Sequence, residues 1–251
     1  MIGKLRELGA TVVQAGASWA EADAYLRETF LAHEEVGVRK VYVPPFDHRD
    51  IWSGVSSMVD EIAEDMMIGG RYAGKKVDGV VCNVGGGGLL NGVMQGLERR
   101  GKGMVRPGEK GVRVLAVETV GADSLNASVK AGELVTLPGI TSIATSLGAR
   151  RVSEKSWEWV QRAGDNLISA TVTDKEAAMG CVRFLDDARI LAEVSCGATL
   201  ATAYNGYLRK YLGQGLCDKE WAERNVILVV CGGSNISWEI LEKYKATYGI
   251  E

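Results

Sequence analysis

Apolar positions in this chain follow two different spacings. The runs VVCNV (80–84), VLAV (114–117) and VILVV (226–230) are largely apolar at successive positions, which is typical of parallel strands covered on both faces. Residues 50–66 instead place their apolar side chains at the spacing of one helix face. Because the two kinds of segment alternate along the chain, we predict an α/β protein with a doubly wound, mostly parallel sheet.

The same patterns predict where the main elements begin and end. Strands are expected at 9–16, 40–46, 77–84, 112–119, 166–172 and 223–235, and helices at 18–37, 50–66, 88–100 and after Asn235. Ser18 and Glu21 have the spacing of a capping box and open the first of these helices. Pro44 and Pro45 end the second strand, because proline has no amide hydrogen for a strand ladder, and they mark a candidate domain boundary.

Composition and charge argue against several functional classes. The 251 residues carry a formal net charge of -3, with a pI near 5.6, so no basic surface favours nucleic acid or an anionic membrane. No apolar run reaches the roughly 18 residues of a spanning helix, and the N-terminus has no secretory pattern. The five cysteines lack a C-x-x-C spacing, which is typical of reduced thiols. We therefore predict a cytoplasmic protein with no nucleic-acid or membrane partner.

Four consecutive glycines, Gly85 to Gly88, stand between a predicted strand and a predicted helix. A flexible linker would usually contain serine and join polar segments. The G-x-G-x-x-G dinucleotide fingerprint fails, because Leu90 or Asn91 falls where its third glycine is required, and no Gly-Lys-Ser/Thr follows for a Walker A loop. Backbone amides at a helix start suit a phosphate, and the lack of a lysine or metal motif favours a monophosphate ligand.

Motifs along nearly the whole chain carry a family resemblance. VGGGGLLNGV (84–93) and VVCGGSNIS (229–237) together resemble the serine/threonine dehydratases that use pyridoxal 5'-phosphate (PLP) in the tryptophan synthase β-like fold. The likeness continues in collinear order through LRELGATV (5–12), VYVPPFD (41–47), IWSG (51–54), VETVGADS (117–124), LPGITSIATSLGA (137–149) and LAEVSCGA (191–198). It is strongest to the Cys-type branch of animal and fungal L-serine dehydratases, although serine racemase and threonine deaminase share these motifs.

The resemblance implies which residues contact the cofactor. It assigns the PLP phosphate to Gly85, Gly86, Gly87, Gly88 and the amide of Leu89. It places Cys231 beside the pyridine nitrogen and Ser146 on the cofactor face. A weakly acidic thiol does not force a proton onto that nitrogen, so the ring is a milder electron sink, which suits β-elimination.

The resemblance also implies a cation site. Its ligands would be Glu118, Ala122, Ser124, Gly85, Leu147 and Ala149. Oxygen ligands of this kind suit a hard cation such as K⁺, Mg²⁺ or Ca²⁺. His33 and His48 have no second histidine or cysteine near them in the sequence, so we expect neither a metal nor a catalytic-triad role for them.

A PLP enzyme of this class also needs a lysine that forms a Schiff base and moves the α-proton. The family carries it in a Ser-x-Lys-x-Arg segment that is absent here, and Lys155 in SEKS lies outside the catalytic parts of the resemblance. We therefore identify no catalytic residue and expect about the first hundred residues of a family-length protein to be missing. Residues 1–47 would be the remainder of the small cofactor-covering domain and 48–251 the large PLP-binding domain.

Two functional hypotheses follow from the resemblance. The first is an ammonia-lyase of amino-acid catabolism and gluconeogenesis, a homodimer at full length, which converts L-serine to pyruvate and L-threonine to 2-oxobutanoate. This chain would then be an incomplete and inactive version of it. The second is a lysine-less PLP-binding or interaction module, whose unpaired strand edges would lower its solubility. Serine racemase and threonine deaminase are the alternatives within the family.

Overall fold

The computed structural model describes residues 1–66, 69–105, 108 and 111–251 of the chain. The chain divides into two compact units, Met1–Pro45 and Phe46–Glu251. The predicted domains 1–47 and 48–251 rest on the family resemblance and stay a prediction.

The first unit contains short helices joined by extended and irregular backbone. Its elements are α1 (Ile2–Glu7), α2 (Trp19–Leu26) and the π-helical turn Arg27–Leu31. Ser18 caps α2 by accepting a hydrogen bond from the amide of Glu21, as the capping box predicts. The helical backbone ends at Leu31, however, whereas the sequence predicted a helix up to residue 37.

The strands predicted at 9–16 and 40–46 are wrong, because neither segment pairs with another strand in the described part of the chain. Valine prefers the extended conformation, but a strand also needs a neighbour to bind its amide and carbonyl groups. The side chains of these segments are correspondingly open to solvent. Val13, Val41 and Val43 are 52%, 68% and 76% exposed.

A parallel sheet forms the centre of the second unit, with the strand order β3-β2-β1-β4. Its strands are β1 (Gly79–Asn83), β2 (Arg113–Thr119), β3 (Leu167–Val172) and β4 (Val226–Leu228). All of their pairings are parallel, which confirms the predicted fold class. The last strand is much shorter than the predicted 223–235, although the amide of Val229 donates one further hydrogen bond to the carbonyl oxygen of Val81, at 2.9 Å.

Helices cover both faces of this sheet. They are α3 (Arg49–Met66), α4 (Gly88–Met104), α5 (Ser124–Ala131), α6 (Glu154–Ala163), α7 (Asp174–Ala188), α8 (Val194–Tyr204), α9 (Tyr207–Leu212), α10 (Asp218–Ala222) and α11 (Trp238–Tyr248). The predicted helices at 50–66, 88–100 and after Asn235 correspond to α3, α4 and α11. No helix in the described ranges is long and apolar enough to cross a membrane.

Alternate side chains of β1 and β2 belong to two different hydrophobic cores. Val80 and Val114 pack in a core with α3, α4 and Trp159 of α6. Val81 and Leu115 pack on the other face, in a core with side chains of α7, α8 and α11. Both strands are therefore apolar at successive positions because each face of the sheet is covered.

Helices α7 and α8 cross closely because glycines lie at their contact. A Cβ atom on Gly197 would overlap the carbonyl oxygen of Ala177, and one on Gly180 would lie 2.6 Å from the carbonyl oxygen of Gly197. These neighbours are backbone atoms, which cannot rotate away. A side chain at either glycine would therefore force the two helices apart.

We predict that Gly197→Ala destabilises the protein by about 2 kcal/mol or more, because the added methyl group overpacks a backbone contact. Gly54 in α3 is the matched control, since no atom lies within 4 Å of its would-be Cβ. Gly54→Ala should be stabilising by up to about 1 kcal/mol, the usual helix preference for alanine. Urea unfolding measures both, and equal stability of the two variants would contradict the close crossing.

Candidate functional site

The loops that follow β1 and β4 both start at the carboxyl ends of these parallel strands, which lie on the same side of the sheet. The chain adds β2 and β3 on one side of β1, whereas β4 pairs with its other side, so the strand order reverses between β1 and β4. In open α/β sheets, ligands bind beyond the carboxyl ends of the strands at such a switch point. Gly85–Gly88 follow β1 and Cys231–Asn235 follow β4. The two motifs that carry the family resemblance thus lie at the same end of the sheet, and we call the region between them the crevice.

The glycine loop ends at the start of α4. Gly87 is the N-cap residue and has a φ of 100°, a conformation that favours glycine. No side chain among the described residues caps the helix, so its first-turn amides are left for a ligand or solvent. This end also carries the positive pole of the helix dipole. The structure therefore offers an anion a set of backbone donors, as at other helix N-termini.

The glycines are also required by packing. A Cβ atom on Gly86 would overlap the ring of Phe46, and one on Gly88 would lie 3.0 Å from the backbone of Phe46. On Gly85 it would lie 3.1 Å from the Cα atom of Leu147. These contacts exclude a flexible linker, and they explain why four successive side chains are absent.

A buried cluster of polar side chains lies beside the glycine loop, between α4 and α6. Asn91 of α4 donates from Nδ2 to Ser153 Oγ at 2.9 Å and accepts at Oδ1 from Ser156 Oγ at 2.8 Å. The amide of Ser153 donates to the carbonyl oxygen of Gly86 at 3.0 Å. Sequence reasoning missed these three residues, although Ser153 before EKSWEWV has the position of a helix cap. Their hydrogen bonds hold α6 against the loop and restrict its backbone.

Two further hydrogen bonds join the loops around the crevice. Asn235 donates from Nδ2 to Ser146 Oγ at 3.1 Å, which links the loop after β4 to the turn Thr145–Leu147. Asn83 donates from Nδ2 to the carbonyl oxygen of Ser195 at 2.7 Å, which links the end of β1 to α8. The structure thus brings Ser146 to the same crevice as the glycine loop and Cys231.

Cys231 belongs to an exposed loop, but protein groups surround its thiol. Partial burial, followed by the proximity of Cys196 and Glu193, raises the pKa of this thiol to about 11. The thiol is therefore protonated and uncharged at neutral pH. This is the weakly acidic group that the sequence analysis expected at this position.

The predicted cation ligands lie in two groups. Glu118 is fully buried at the end of β2 and accepts hydrogen bonds from the amides of Leu125 and Asn126, at 2.9 and 2.7 Å. Burial raises its pKa to about 8. Ser124 starts α5, and its buried Oγ has no hydrogen-bond partner among the described residues. An unpaired buried hydroxyl is unusual and leaves this oxygen available as a ligand.

The other predicted ligands come from backbone segments. Ala122 lies in the loop between Glu118 and Ser124, while Leu147 and Ala149 lie near the glycine loop through the contact of Gly85 with Leu147. Within the described ranges, no group of three or more His, Cys, Asp or Glu side chains suits a metal ion. A site here would thus depend on carbonyl and hydroxyl oxygens, which alkali and alkaline-earth cations prefer.

Lys155 is engaged on its own helix. Its ammonium group lies 2.7 Å from Glu158 Oε2 and 5.0 Å from the centre of the Trp159 ring. These contacts engage the ammonium group of Lys155 with side chains of α6.

Comparison with known proteins agrees with this geometry. The family described as "Pyridoxal-phosphate dependent enzyme" matches residues 1–232. The catabolic L-serine/threonine dehydratase of Saccharomyces cerevisiae is 38% identical over 244 residues, which are 97% of this chain and 64% of the yeast protein. A serine dehydratase-like protein of Mus musculus is 39% identical over 249 residues, covering 99% of this chain and 69% of the mouse protein.

A solved structure is similar over nearly the whole chain. The fungal L-serine ammonia-lyase from Rhizomucor miehei superposes with a TM-score of 0.78 at 33% identity, covering 98% of this chain and 70% of that one. This similarity confirms the predicted fold. The chain spans a little under two thirds of the length of the yeast relative. On the match of residues 1–232 and on these relatives, the chain belongs to the family of pyridoxal-phosphate dependent enzymes.

Proposed function

We propose that the protein acts as a PLP-dependent lyase, which eliminates ammonia from L-serine and L-threonine and leaves pyruvate and 2-oxobutanoate. This chain contributes the cofactor-binding crevice. The observation that carries the proposal is the placement of the glycine loop and the Cys231 loop on neighbouring parallel strands at the switch point of the sheet. The yeast and mouse relatives, named as dehydratases, support the choice of reaction.

The residues of the crevice fit a phosphate ester. In this proposal the amides of Gly85–Gly88 and Leu89 bind the phosphate at the positive end of α4, since no described side chain competes for that helix start. Ser146 lies on the cofactor face. When bound, PLP supplies an electron sink for the carbanion formed at the substrate.

Cys231 has the role of an uncharged partner for the pyridine nitrogen. Its raised pKa of about 11 keeps the proton on the sulfur, so the thiol neither repels the ring nor protonates it fully. A carboxylate in this position would favour the protonated ring. The thiol therefore suits elimination, which needs a weaker electron sink than transamination. On the family resemblance, Cys231 favours the Cys-type dehydratases over serine racemase and threonine deaminase.

We further propose that this chain binds PLP without forming a covalent bond to a lysine. None of its lysines lies in the Ser-x-Lys-x-Arg motif of the family, and Lys155 is paired with Glu158. The residue that removes the α-proton is thus not assigned to this chain. A homodimeric assembly and a cytoplasmic location stay predictions from the sequence.

The phosphate contact predicts that the purified chain discriminates PLP from pyridoxal, which differs only by lacking the phosphate. We expect PLP to bind at least about tenfold more tightly, the effect of roughly 1.4 kcal/mol from charge-assisted hydrogen bonds. Inorganic phosphate should compete with PLP. Quenching of intrinsic tryptophan fluorescence measures both affinities, and equal affinity for the two ligands would contradict the phosphate site.

Reduction with borohydride tests the non-covalent binding. We expect mass spectrometry of the reduced complex to show no specific pyridoxyl-lysine, and no ammonia release from L-serine, because the chain lacks the motif lysine. Lys155→Arg serves as the control variant and should bind PLP unchanged. Stoichiometric modification of one lysine, or turnover of L-serine by this chain, would show that a lysine of this sequence does serve the cofactor.

The second proposed site is a cation site formed by oxygens of Glu118, Ala122, Ser124, Gly85, Leu147 and Ala149. Two observations support it: Glu118 is a carboxyl group without exposure to solvent, and Ser124 Oγ is buried without a described partner. A cation would take the hydroxyl as a ligand and, by favouring the ionised form of Glu118, would lower the pKa of that carboxyl group.

We predict that K⁺ or Mg²⁺ raises the melting temperature relative to choline chloride at equal ionic strength. Ser124→Ala should lose most of this difference, whereas Ser128→Ala should retain it, because Ser128 Oγ already donates to the carbonyl oxygen of Ser124 at 2.7 Å. Differential scanning fluorimetry measures the shifts. A response that is the same in both variants and in the unsubstituted chain would place the ion elsewhere.

A further inference from the structure

Glu193 is a nearly buried carboxylate to which the sequence analysis gave no role. It is the N-cap residue of α8 and is 8% exposed. Its side chain makes no cap hydrogen bond to its own helix. A carboxylate that is buried and directed elsewhere must find other donors.

Those donors lie in the loop after β4. Glu193 Oε2 accepts a hydrogen bond from the amide of Asn235 at 3.0 Å, and the amide of Glu193 donates to the carbonyl oxygen of Gly232 at 2.8 Å. Gly233 has a φ of 92°, and a Cβ atom there would overlap Cγ and Cδ of Glu193. Both the backbone and the side chain of Glu193 therefore contact the segment that contains Cys231.

We propose that Glu193 is a positioning residue for the cofactor site, which holds the loop Cys231–Asn235 in the one conformation that directs the Cys231 thiol toward the crevice. Gly232 and Gly233 both have positive φ values, of 74° and 92°, so the free loop has a wide choice of backbone conformations. Two hydrogen bonds from one residue remove that freedom. That the thiol faces a pyridine nitrogen rests on the proposed function. The contacts of Glu193 with the loop are independent of that function.

Asn235 extends this effect across the crevice. Its backbone amide is bound by Glu193, while its side chain donates to Ser146 Oγ. Because one residue makes both contacts, fixing the amide of Asn235 also fixes the direction from which its side chain reaches the turn at Ser146. Glu193 thereby connects the Cys231 loop with the turn that contacts Gly85.

The charge of Glu193 has a second consequence for the thiol. Three groups interact electrostatically with the Cys231 thiol. They are Glu193 and Cys196 at the start of α8, and Cys82 of β1. Burial is the largest cause of the raised thiol pKa, followed by Cys196 and then by the negative charge of Glu193. A negative neighbour disfavours the thiolate, so neutralising Glu193 must lower the pKa of Cys231.

The test measures alkylation of Cys231 by iodoacetamide in the chain without cofactor, as a function of pH. Cys217→Ser removes the other exposed cysteine, and peptide mass spectrometry identifies the site. Glu193→Gln retains an acceptor oxygen for Asn235 but removes the charge. We expect its alkylation rate at pH 9 to rise by about threefold or more, because half a unit in pKa triples the small thiolate fraction.

The variant Glu193→Ala removes both the charge and the hydrogen bond, and Glu193→Asp restores the charge at a shorter reach. We expect alanine to give a faster alkylation rate than glutamine, and aspartate a rate nearer to that of the unsubstituted chain. Glu176→Gln is the matched control, since Glu176 also accepts an amide hydrogen bond at a helix start, from Thr173 at 2.8 Å. It should leave the pH profile of Cys231 unchanged.

Equal alkylation rates of Glu193→Ala and Glu193→Gln would overturn the positioning role, because only the alanine variant loses the hydrogen bond to Asn235. A pH profile of Glu193→Gln equal to that of the unsubstituted chain, or an equal effect of Glu176→Gln, would overturn the effect of the Glu193 charge on the thiol. Circular dichroism identifies a variant that does not fold, and the glutamine variant keeps the test valid if the alanine variant fails. The experiment contains no PLP, so its result stands even if the chain fails to bind PLP. That second outcome would instead contradict the proposed function.

Discussion

The parallel pairing of β1 with β4 is the constraint on which the rest of the site depends. It places Val81 beside Leu228, so that the glycine loop and the Cys231 loop start from neighbouring strands although about 145 residues separate them in sequence. The β4 strand is short, and its side chains are only half-buried. Hydrogen bonds beyond its end must therefore hold the loop that follows it.

Those hydrogen bonds form a network between loops of very different sequence position. Asn83 binds the backbone of α8, Glu193 at the start of α8 binds Asn235, and Asn235 binds Ser146. Each bond uses a side chain from one segment to fix the backbone or hydroxyl of another. Pairing buried polar groups in this way restricts the loops without closing the crevice.

Sequence patterns predicted the sheet but not all of its details. The strands at 77–84 and 112–119 were found because their apolar runs reflect burial on both faces. The strand at 166–172 was also found, although it is only partly buried. The strands at 9–16 and 40–46 were wrong, because pairing depends on a neighbour that a local pattern does not contain. A helix of α3 length was easier to predict, since its hydrogen bonds lie within the segment itself.

The residues of the candidate site were likewise predicted only in part. The glycine loop was found from its position between strand and helix, and the roles of Cys231 and Glu118 came from the resemblance. The cluster of Asn91, Ser153 and Ser156 was missed, because these residues come from two helices that are distant in sequence and meet only in the folded chain. Glu193 stood within a quoted motif, but nothing in the sequence says that its carboxylate leaves its own helix.

The two ends of the crevice differ in charge: one end favours an anion and the other does not. The start of α4 offers amides and a positive dipole end without a capping side chain, whereas the Cys231 end contains the carboxylate of Glu193 and an uncharged thiol. A ligand with an anionic group at one end and a weakly basic nitrogen at the other is favoured in a single orientation. Reversing it would bring the anion toward Glu193 and lose the amides of α4. In the proposed function, the two loops on neighbouring strands thus determine the orientation of the cofactor.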